Sequence, residues 1–277
     1  MNLRTGVVTV FAAIIVVVAL APRLAGMKGS ATTRVEDGLA EARSPDAGST
    51  PVLVELFTSE GCSSCPPADA LLARLGRTQP VRGADAIVLE EHVDYWDRLG
   101  WKDPFSSQAA TARQGEYSEA FGGRQSYTPQ MIVDGRAEFV GSSEAEALRA
   151  IRTAGEAPKP SLHLAWASGG MLSIHVGPLT NAARGDAPQV YLAVTQSMLH
   201  SDVKRGENAG RALEHDGVVR QFLAVGKADS GSTGFSSTIA VDVAPEWTRA
   251  NLSAVILVQE RRSRRVLAAA AIPFPAS

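Results

Sequence analysis

The sequence predicts an α/β protein in which a βαβαββα unit is followed by a mostly β region. Three observations support this fold class. Short apolar runs alternate with helical patterns as far as residue 157, the chain's two cysteines lie between the first strand and the first helix, and longer alternating strand patterns begin after residue 158. A net charge of −2 provides no bulk positive charge for phosphates, so no nucleic-acid partner is expected.

Residues 1–26 are predicted to be a signal peptide or a membrane anchor. The apolar run over residues 6–22 is long for a signal-peptide core and short for a spanning helix. Residues 19–21 have the small-x-small form that a signal peptidase recognises, but Pro22 disfavours cleavage there, which favours a retained anchor. Residues 27–50 predict a flexible linker. The expected location is periplasmic or extracellular, with membrane contact through residues 6–22 if the segment is retained.

Residues 51–157 are predicted to form the first domain. Leucines at helical spacing precede Gly76, which we interpret as a helix end, and β-branched runs bounded by turn residues favour strands. The order βαβαββα, with a cysteine turn after the first strand, is that of the thioredoxin fold. The predicted strands are 52–57, 86–93, 129–134 and 137–140, and the predicted helices are 68–75, 106–121 and 142–152.

Residues 158–277 are predicted to form a second, sandwich-like β domain. Alternating patterns over 162–166 and 172–176 flank a Ser-Gly-Gly turn, which is typical of a hairpin. A sandwich accommodates several such strands in two packed sheets. The other predicted strands are 190–195, 236–243, 252–259 and 266–272.

Cys62 and Cys65 are the candidate catalytic residues. In an exported protein this pair predicts a disulfide couple rather than a zinc site, because no second cysteine pair or close histidine pair supplies further ligands. At the positive end of a helix the Cys62 thiolate is favoured, so we expect an exposed, attacking Cys62 and a resolving Cys65. The alternative is a structural disulfide, although so short a loop gains little stability from one. No metal and no other cofactor is predicted.

The segment at residues 55–69, E-L-F-T-S-E-G-C-S-S-C-P-P-A-D, resembles the signature of a bacterial family of secreted thioredoxin-like proteins of unknown function. The resemblance covers nearly everything from Val52 onward, and it implies a fold rather than an activity. Three further blocks resemble the same family, at residues 92–105, 127–135 and 206–210. The last of these has the composition of a plain structural turn.

Similarity to the wider thioredoxin superfamily implies that Pro129 is a cis-proline facing the dithiol. It further implies that Thr128 and Tyr127 contact a substrate peptide next to this proline. Departures from the superfamily pattern, among them the lack of a tryptophan before Cys62 and a longer segment between the dithiol and Pro129, leave the direction of electron flow open. The dipeptide between the cysteines is Ser-Ser, and Glu55 is one position away from the expected buried acid.

Aromatic and acidic residues cluster between His92 and Phe105, in a chain that is only 6% aromatic. The second strand ends at the edge that carries the dithiol, so Trp96 and Trp101 are candidate walls of a substrate groove. His92 or Asp94 would assist proton transfer there. The alternative is a buried aromatic loop in which His92 has a structural hydrogen bond. The other four histidines show no ligand pattern.

Together these features predict an exported thiol–disulfide oxidoreductase acting on protein or small-molecule thiols. Its partner would be a thiol or disulfide protein substrate, or a redox partner protein. A non-catalytic binding module with a structural disulfide is the alternative. A copper carrier using the dithiol and His92 is a more distant one.

Overall fold

The computed structural model describes residues 48–123, 125–229 and 231–275. The predicted signal or anchor over residues 1–26 and most of the predicted linker lie outside the described residues. Within the ranges described, no helix is both long and apolar enough to cross a membrane.

The first half of the described chain has the predicted βαβαββα order. Helix α1 begins with two prolines, which lose no intrahelical hydrogen bond there. The Ser107 side chain accepts a hydrogen bond from the Ala110 N–H and so caps α2. The elements are β1 (Thr50–Thr58), α1 (Pro66–Thr78), β2 (Ala84–His92), α2 (Gln108–Ala120), β3 (Gln130–Val133), β4 (Ala137–Val140) and α3 (Glu144–Gly155).

Gly76 does not end the first helix, as the sequence pattern had indicated, because α1 continues to Thr78. Helix α1 packs closely on β2 at this position. A methyl group on Gly76 would lie 2.9 Å from Cγ2 of Val88. The glycine therefore allows a close approach of helix and sheet.

The second half of the described chain consists mainly of strands. The predicted hairpin is confirmed, with its turn at Ser168–Gly170. Three strands were not predicted, because β8 and β9 are short and β10 is interrupted by polar residues and glycine. The strands are β5 (Leu162–Ala167), β6 (Met171–Val176), β7 (Pro188–Gln196), β8 (Leu199–Asp202), β9 (Ala212–His215), β10 (Val218–Lys227), β11 (Phe235–Ala240), β12 (Leu252–Glu260) and β13 (Val266–Pro273).

One mixed sheet crosses from the first half to the second. Its eight strands run in the order β13-β12-β7-β10-β2-β1-β3-β4. Strand β10 joins the halves, since Val218 pairs with Glu90 of β2. The C-terminal strands therefore do not make an independent sandwich. Strands from both sides of the expected boundary at residue 158 belong to the same sheet. Strands β11, β6 and β5 form a second, three-stranded sheet.

The topology places the loops after β1 and β2 at the same edge of the large sheet. These strands are parallel neighbours, so their carboxyl ends coincide, and Thr58 pairs with His92 there. Strand β3 runs antiparallel to β1 and therefore begins at that edge, with Phe57 opposite Gln130. The cysteine turn, the aromatic block and Pro129 are brought together in this way.

Candidate functional site

Cys62 and Cys65 form a disulfide in the turn between β1 and α1. Their Cα atoms are 5.4 Å apart, which is within the ordinary range for a disulfide. Cys65 occupies the N-cap position of α1, and its carbonyl oxygen accepts a hydrogen bond from the Ala68 N–H at 2.8 Å. The predicted disulfide between strand and helix is therefore present.

The expectation of an exposed Cys62 is wrong. Both cysteines are 0% exposed, whereas Ser63 and Ser64 between them are exposed. The Cys62 Sγ atom lies 3.4 Å from the Ser64 hydroxyl oxygen. A loop from the distant second half of the chain binds the backbone of the cysteine turn.

We call this segment the covering loop, residues 206–210. The Asn208 side chain is buried and donates hydrogen bonds to the carbonyl oxygens of Glu60 at 2.8 Å and Cys62 at 2.9 Å. The Glu207 carboxylate accepts a hydrogen bond from the Ser63 N–H at 3.0 Å, and its hydrogen bonds with Ser63 lower the pKa of Glu207. The prediction of a plain structural turn is therefore incomplete, because this loop binds the backbone of the cysteine turn.

Two tryptophans from the loop after β2 flank the cysteine turn. Trp96 donates from Nε1 to the Thr128 hydroxyl at 2.8 Å, and its Cβ atom packs against the backbone of Gly61. Trp101 donates from Nε1 to Oε2 of the buried Glu60 at 2.7 Å. The structure therefore places both predicted tryptophans beside the disulfide loop, where each one also fixes a neighbouring segment.

Pro129 is buried, and the Thr128–Pro129 peptide bond is cis, as the resemblance implied. Gly141 lies between Pro129 and the first turn of α1, because a methyl group on Gly141 would be 3.1 Å from the Cβ atoms of both Pro129 and Ala68. The Tyr127 hydroxyl donates to Glu138 of β4 at 2.8 Å. Pro129 is thus close to the helix that carries Cys65, while the Tyr127 hydroxyl binds the edge strand.

Asp94 has its polar contacts with α2. Its backbone N–H donates to the Thr111 hydroxyl oxygen at 3.0 Å, and that hydroxyl donates to Asp94 Oδ1 at 2.6 Å. These bonds attach the aromatic loop to α2. The proposed role of Asp94 in proton transfer gains no support from them.

A group of buried ionisable side chains lies next to the cysteine turn. His92 Nδ1 is 2.7 Å from Asp103 Oδ2, which also accepts the Glu60 N–H at 2.8 Å. His215 Nδ1 is 2.7 Å from Glu90 Oε1, and His215 Nε2 is 3.2 Å from Glu60 Oε1. The network connects the loops after β1 and β2 with the end of β9. We call it the histidine cluster, and its members are Glu60, Asp69, Glu90, His92, Asp103 and His215.

The charges of the histidine cluster stabilise one another. Burial alone would lower the pKa of His92, but the Asp103 carboxylate raises it well above its ordinary value. Burial opposes and Glu90 favours the charged form of His215, whose pKa is raised to about 9. Burial, with a smaller effect of Glu90, raises the pKa of Asp69 to about 7. His92 is therefore a buried, bonded residue, as the alternative interpretation held.

Sequence reasoning missed several residues of this site. Glu90 and His92 are two positions apart on β2 and so lie on the same face of the strand, which the sequence pattern could have indicated. Asp69 follows Cys65 by one helical turn, and this spacing could also have indicated that Asp69 lies near the site. Nothing local indicates His215, and resemblance singled out the block that contains Asn208 without indicating its contact with the cysteine turn.

The fold and site define a mixed α/β protein with a covered disulfide at its first strand–helix turn. The chain belongs to the family described as "Protein of unknown function (DUF1223)", whose model matches residues 53–259. No curated protein matches it.

Solved structures similar to this chain include the following two. The crystal structure of protein AGR_C_4864 from Agrobacterium tumefaciens is 26% identical, has a TM-score of 0.67, and aligns over 84% of this chain and 98% of its own. HBP35 of Porphyromonas gingivalis is 14% identical with a TM-score of 0.54, over 82% of this chain and 76% of its own. The second similarity concerns the fold alone.

Proposed function

We propose that this chain is an exported thiol–disulfide oxidoreductase with a thioredoxin-like βαβαββα unit. The observation that carries the proposal is the pairing of the chain's only two cysteines in the turn that leads into α1, whose first turn lies close to Pro129 just before β3. The local strand order β2-β1-β3-β4, with β3 antiparallel to both neighbours, also supports it. The partner would be a dithiol or disulfide protein, or a small thiol.

The chemistry is a transfer of two electrons between a pair of thiols and a disulfide. A substrate thiolate attacks one sulfur of the pair, the other sulfur leaves as a thiolate, and a second substrate thiol then releases the mixed disulfide. In the reverse direction Cys62 attacks and Cys65 resolves. The α1 N-terminus favours the Cys62 thiolate. Asp69, one turn beyond Cys65 with a pKa of about 7, can hold or release a proton near neutral pH.

We expect access to the disulfide to depend on movement of the covering loop. Both cysteines are fully buried, and exchange needs a direct approach of the attacking sulfur to one of them. Asn208 and Glu207 together make three hydrogen bonds to the backbone of the cysteine turn. Exchange in the closed arrangement should therefore be slow, and opening of the loop should control its rate.

The test uses two matched variants of the full chain. Wild type should catalyse reduction of insulin by a small thiol, and Cys62→Ser should abolish this activity. Cys65→Ser should accumulate a mixed disulfide with a peptide substrate, because the attacking sulfur remains and the resolving one is lost. Equal activity of wild type and Cys62→Ser would refute the proposal.

Full burial of the pair favours a second candidate, a non-catalytic binding module with a structural disulfide. The reduction potential separates the two functions. Structural disulfides in secreted proteins have potentials below about −300 mV, and catalytic pairs lie above this range. A value in the structural range, together with inactivity towards insulin, would favour the binding module.

A further inference from the structure

Three buried side chains of the histidine cluster direct donor atoms towards one another. Their possible ligand atoms all lie within 4.8 Å of each other. Glu90 Oε1 is 3.4 Å from His92 Nε2 and 2.7 Å from His215 Nδ1. Strand β2 supplies Glu90 and His92 from one face, and the end of β9 supplies His215.

Hydrogen bonds hold the outer atoms of all three side chains. His92 Nδ1 lies 2.7 Å from the Asp103 carboxylate, and His215 Nε2 lies 3.2 Å from the Glu60 carboxylate. Glu90 Oε2 accepts the Asp216 N–H at 3.0 Å. Carboxylates that hold the far nitrogen of an imidazole are a recurring feature around metal-binding histidines, where they orient the ring. The inner atoms are thus pre-oriented.

One inner atom has no hydrogen-bond partner among the described residues. His92 is 2% exposed, and its Nε2 atom lies 3.4 Å from Glu90 Oε1, within ion-pair distance but without hydrogen-bond geometry. Buried polar atoms nearly always form hydrogen bonds, so a buried nitrogen that faces a carboxylate without hydrogen-bond geometry requires an explanation. A bound cation would provide one.

We propose that Glu90, His92 and His215 bind a divalent transition metal ion, with Zn²⁺ the best match to two imidazoles and one carboxylate. Magnesium and calcium fit poorly because they prefer oxygen ligands. Three protein ligands leave the fourth tetrahedral position for an exchangeable ligand. This site is independent of the redox proposal, since neither cysteine takes part in it.

The experiment titrates the full chain, untagged and stripped with chelator, with Zn²⁺ in a calorimeter and with Co²⁺ in a spectrophotometer. Wild type should bind one equivalent of each ion, and Zn²⁺ should raise its melting temperature. Glu90→Gln, which keeps the side-chain shape, and His92→Ala should lose this binding. His175→Ala, which alters an exposed histidine on β6, should retain it. Asp103→Asn should weaken affinity by about 10- to 100-fold.

Three outcomes would overturn the proposal. The first is the absence of saturable binding of either ion by folded wild type. The second is retention of one equivalent by Glu90→Gln, which keeps the assay informative if His92→Ala fails to fold. The third is loss of the ion in the Cys62→Ser/Cys65→Ser double variant, since that result would assign binding to the thiols.

Discussion

Two buried networks of charged side chains lie on opposite faces of strand β2. One contains histidines as its cations, and the other contains an arginine. Glu90 and His92 belong to the histidine cluster, while Glu91, between them in sequence, points to the opposite face. There it meets the guanidinium of Arg113, whose Nε lies 3.1 Å from Glu91 Oε1. We call this second group the arginine network, and its members are Glu55, Glu91, Arg113, Tyr117 and Gln259.

The arginine network connects the two halves of the chain. Arg113 of α2 donates from Nε to Glu55 of β1 at 2.7 Å and from a terminal nitrogen to Gln259 of β12 at 3.1 Å. The Tyr117 hydroxyl donates to Glu55 and accepts from Gln259 Nε2. Burial raises the pKa of Glu91 to about 8, although Arg113 opposes this. These contacts fix α2 against both β1 and β12.

The comparison shows how the choice of cation determines what a buried network can do. Arginine keeps its proton at every relevant pH, so the cation of the arginine network is fixed and serves to hold elements together. Imidazole can exchange its proton for a metal ion, so the histidine cluster has more than one available state. The cation that can be replaced is the one next to the disulfide.

The largest expected effect comes from Arg113→Met. Glu55 and Glu91 would remain buried without their main cation, and breaking a buried pair in this way lowers the free energy of unfolding by about 3–5 kcal/mol. Urea unfolding at neutral pH measures the loss. The control is Arg74→Met, which removes an exposed ion pair with Glu144 and should change stability far less. Equal effects of the two variants would contradict a stabilising role for the arginine network.

A smaller effect is expected from Asn208→Ala. The carbonyl groups of Glu60 and Cys62 would lose their side-chain donor, which should lower the free energy of unfolding by about 1–3 kcal/mol. The disulfide should also react faster with dithiothreitol, because the covering loop opens more easily. Asn181→Ala, at an exposed site, is the control. An unchanged reduction rate in a destabilised Asn208→Ala would show that the loop does not limit access.

The smallest effect concerns Glu207 and depends on pH. Its hydrogen bonds with Ser63 lower the pKa of Glu207 below its ordinary value of 4.5, so they favour the closed loop while the carboxylate is charged. That contribution is complete above pH 4.5 and is lost as the pH falls through the lower pKa of the closed form. At neutral pH, Glu207→Gln should speed disulfide reduction by a phosphine roughly two- to fivefold.

Acid should remove this difference between the variant and wild type, because protonated glutamate resembles glutamine. Comparing the two proteins at each pH cancels changes in the phosphine itself. If the ratio of the reduction rates of Glu207→Gln and wild type stayed constant from neutral pH to acid, the Glu207 carboxylate would not be what holds the covering loop closed.

Local patterns predicted the first half of the fold well, and the second half less well. The strand and helix periods between β1 and α3 are strong, and their bounds shift by only a few residues in the structure. Strand β10 was missed because Arg220, Gln221 and Gly226 interrupt its apolar pattern. That omission concealed the sheet's continuity, since β10 alone pairs with β2 across the two halves.

The sequence by itself determined the β1–cysteine–α1 turn, the disulfide and the clustering of aromatic residues after β2, because each depends on neighbours within a few positions. Only the tertiary structure decided that the pair is covered, because Asn208 is 146 residues from Cys62. It also decided that His215 meets Glu90 across 125 positions. Such contacts depend on how strands pair across the sheet, and local residue patterns do not specify that pairing over these separations.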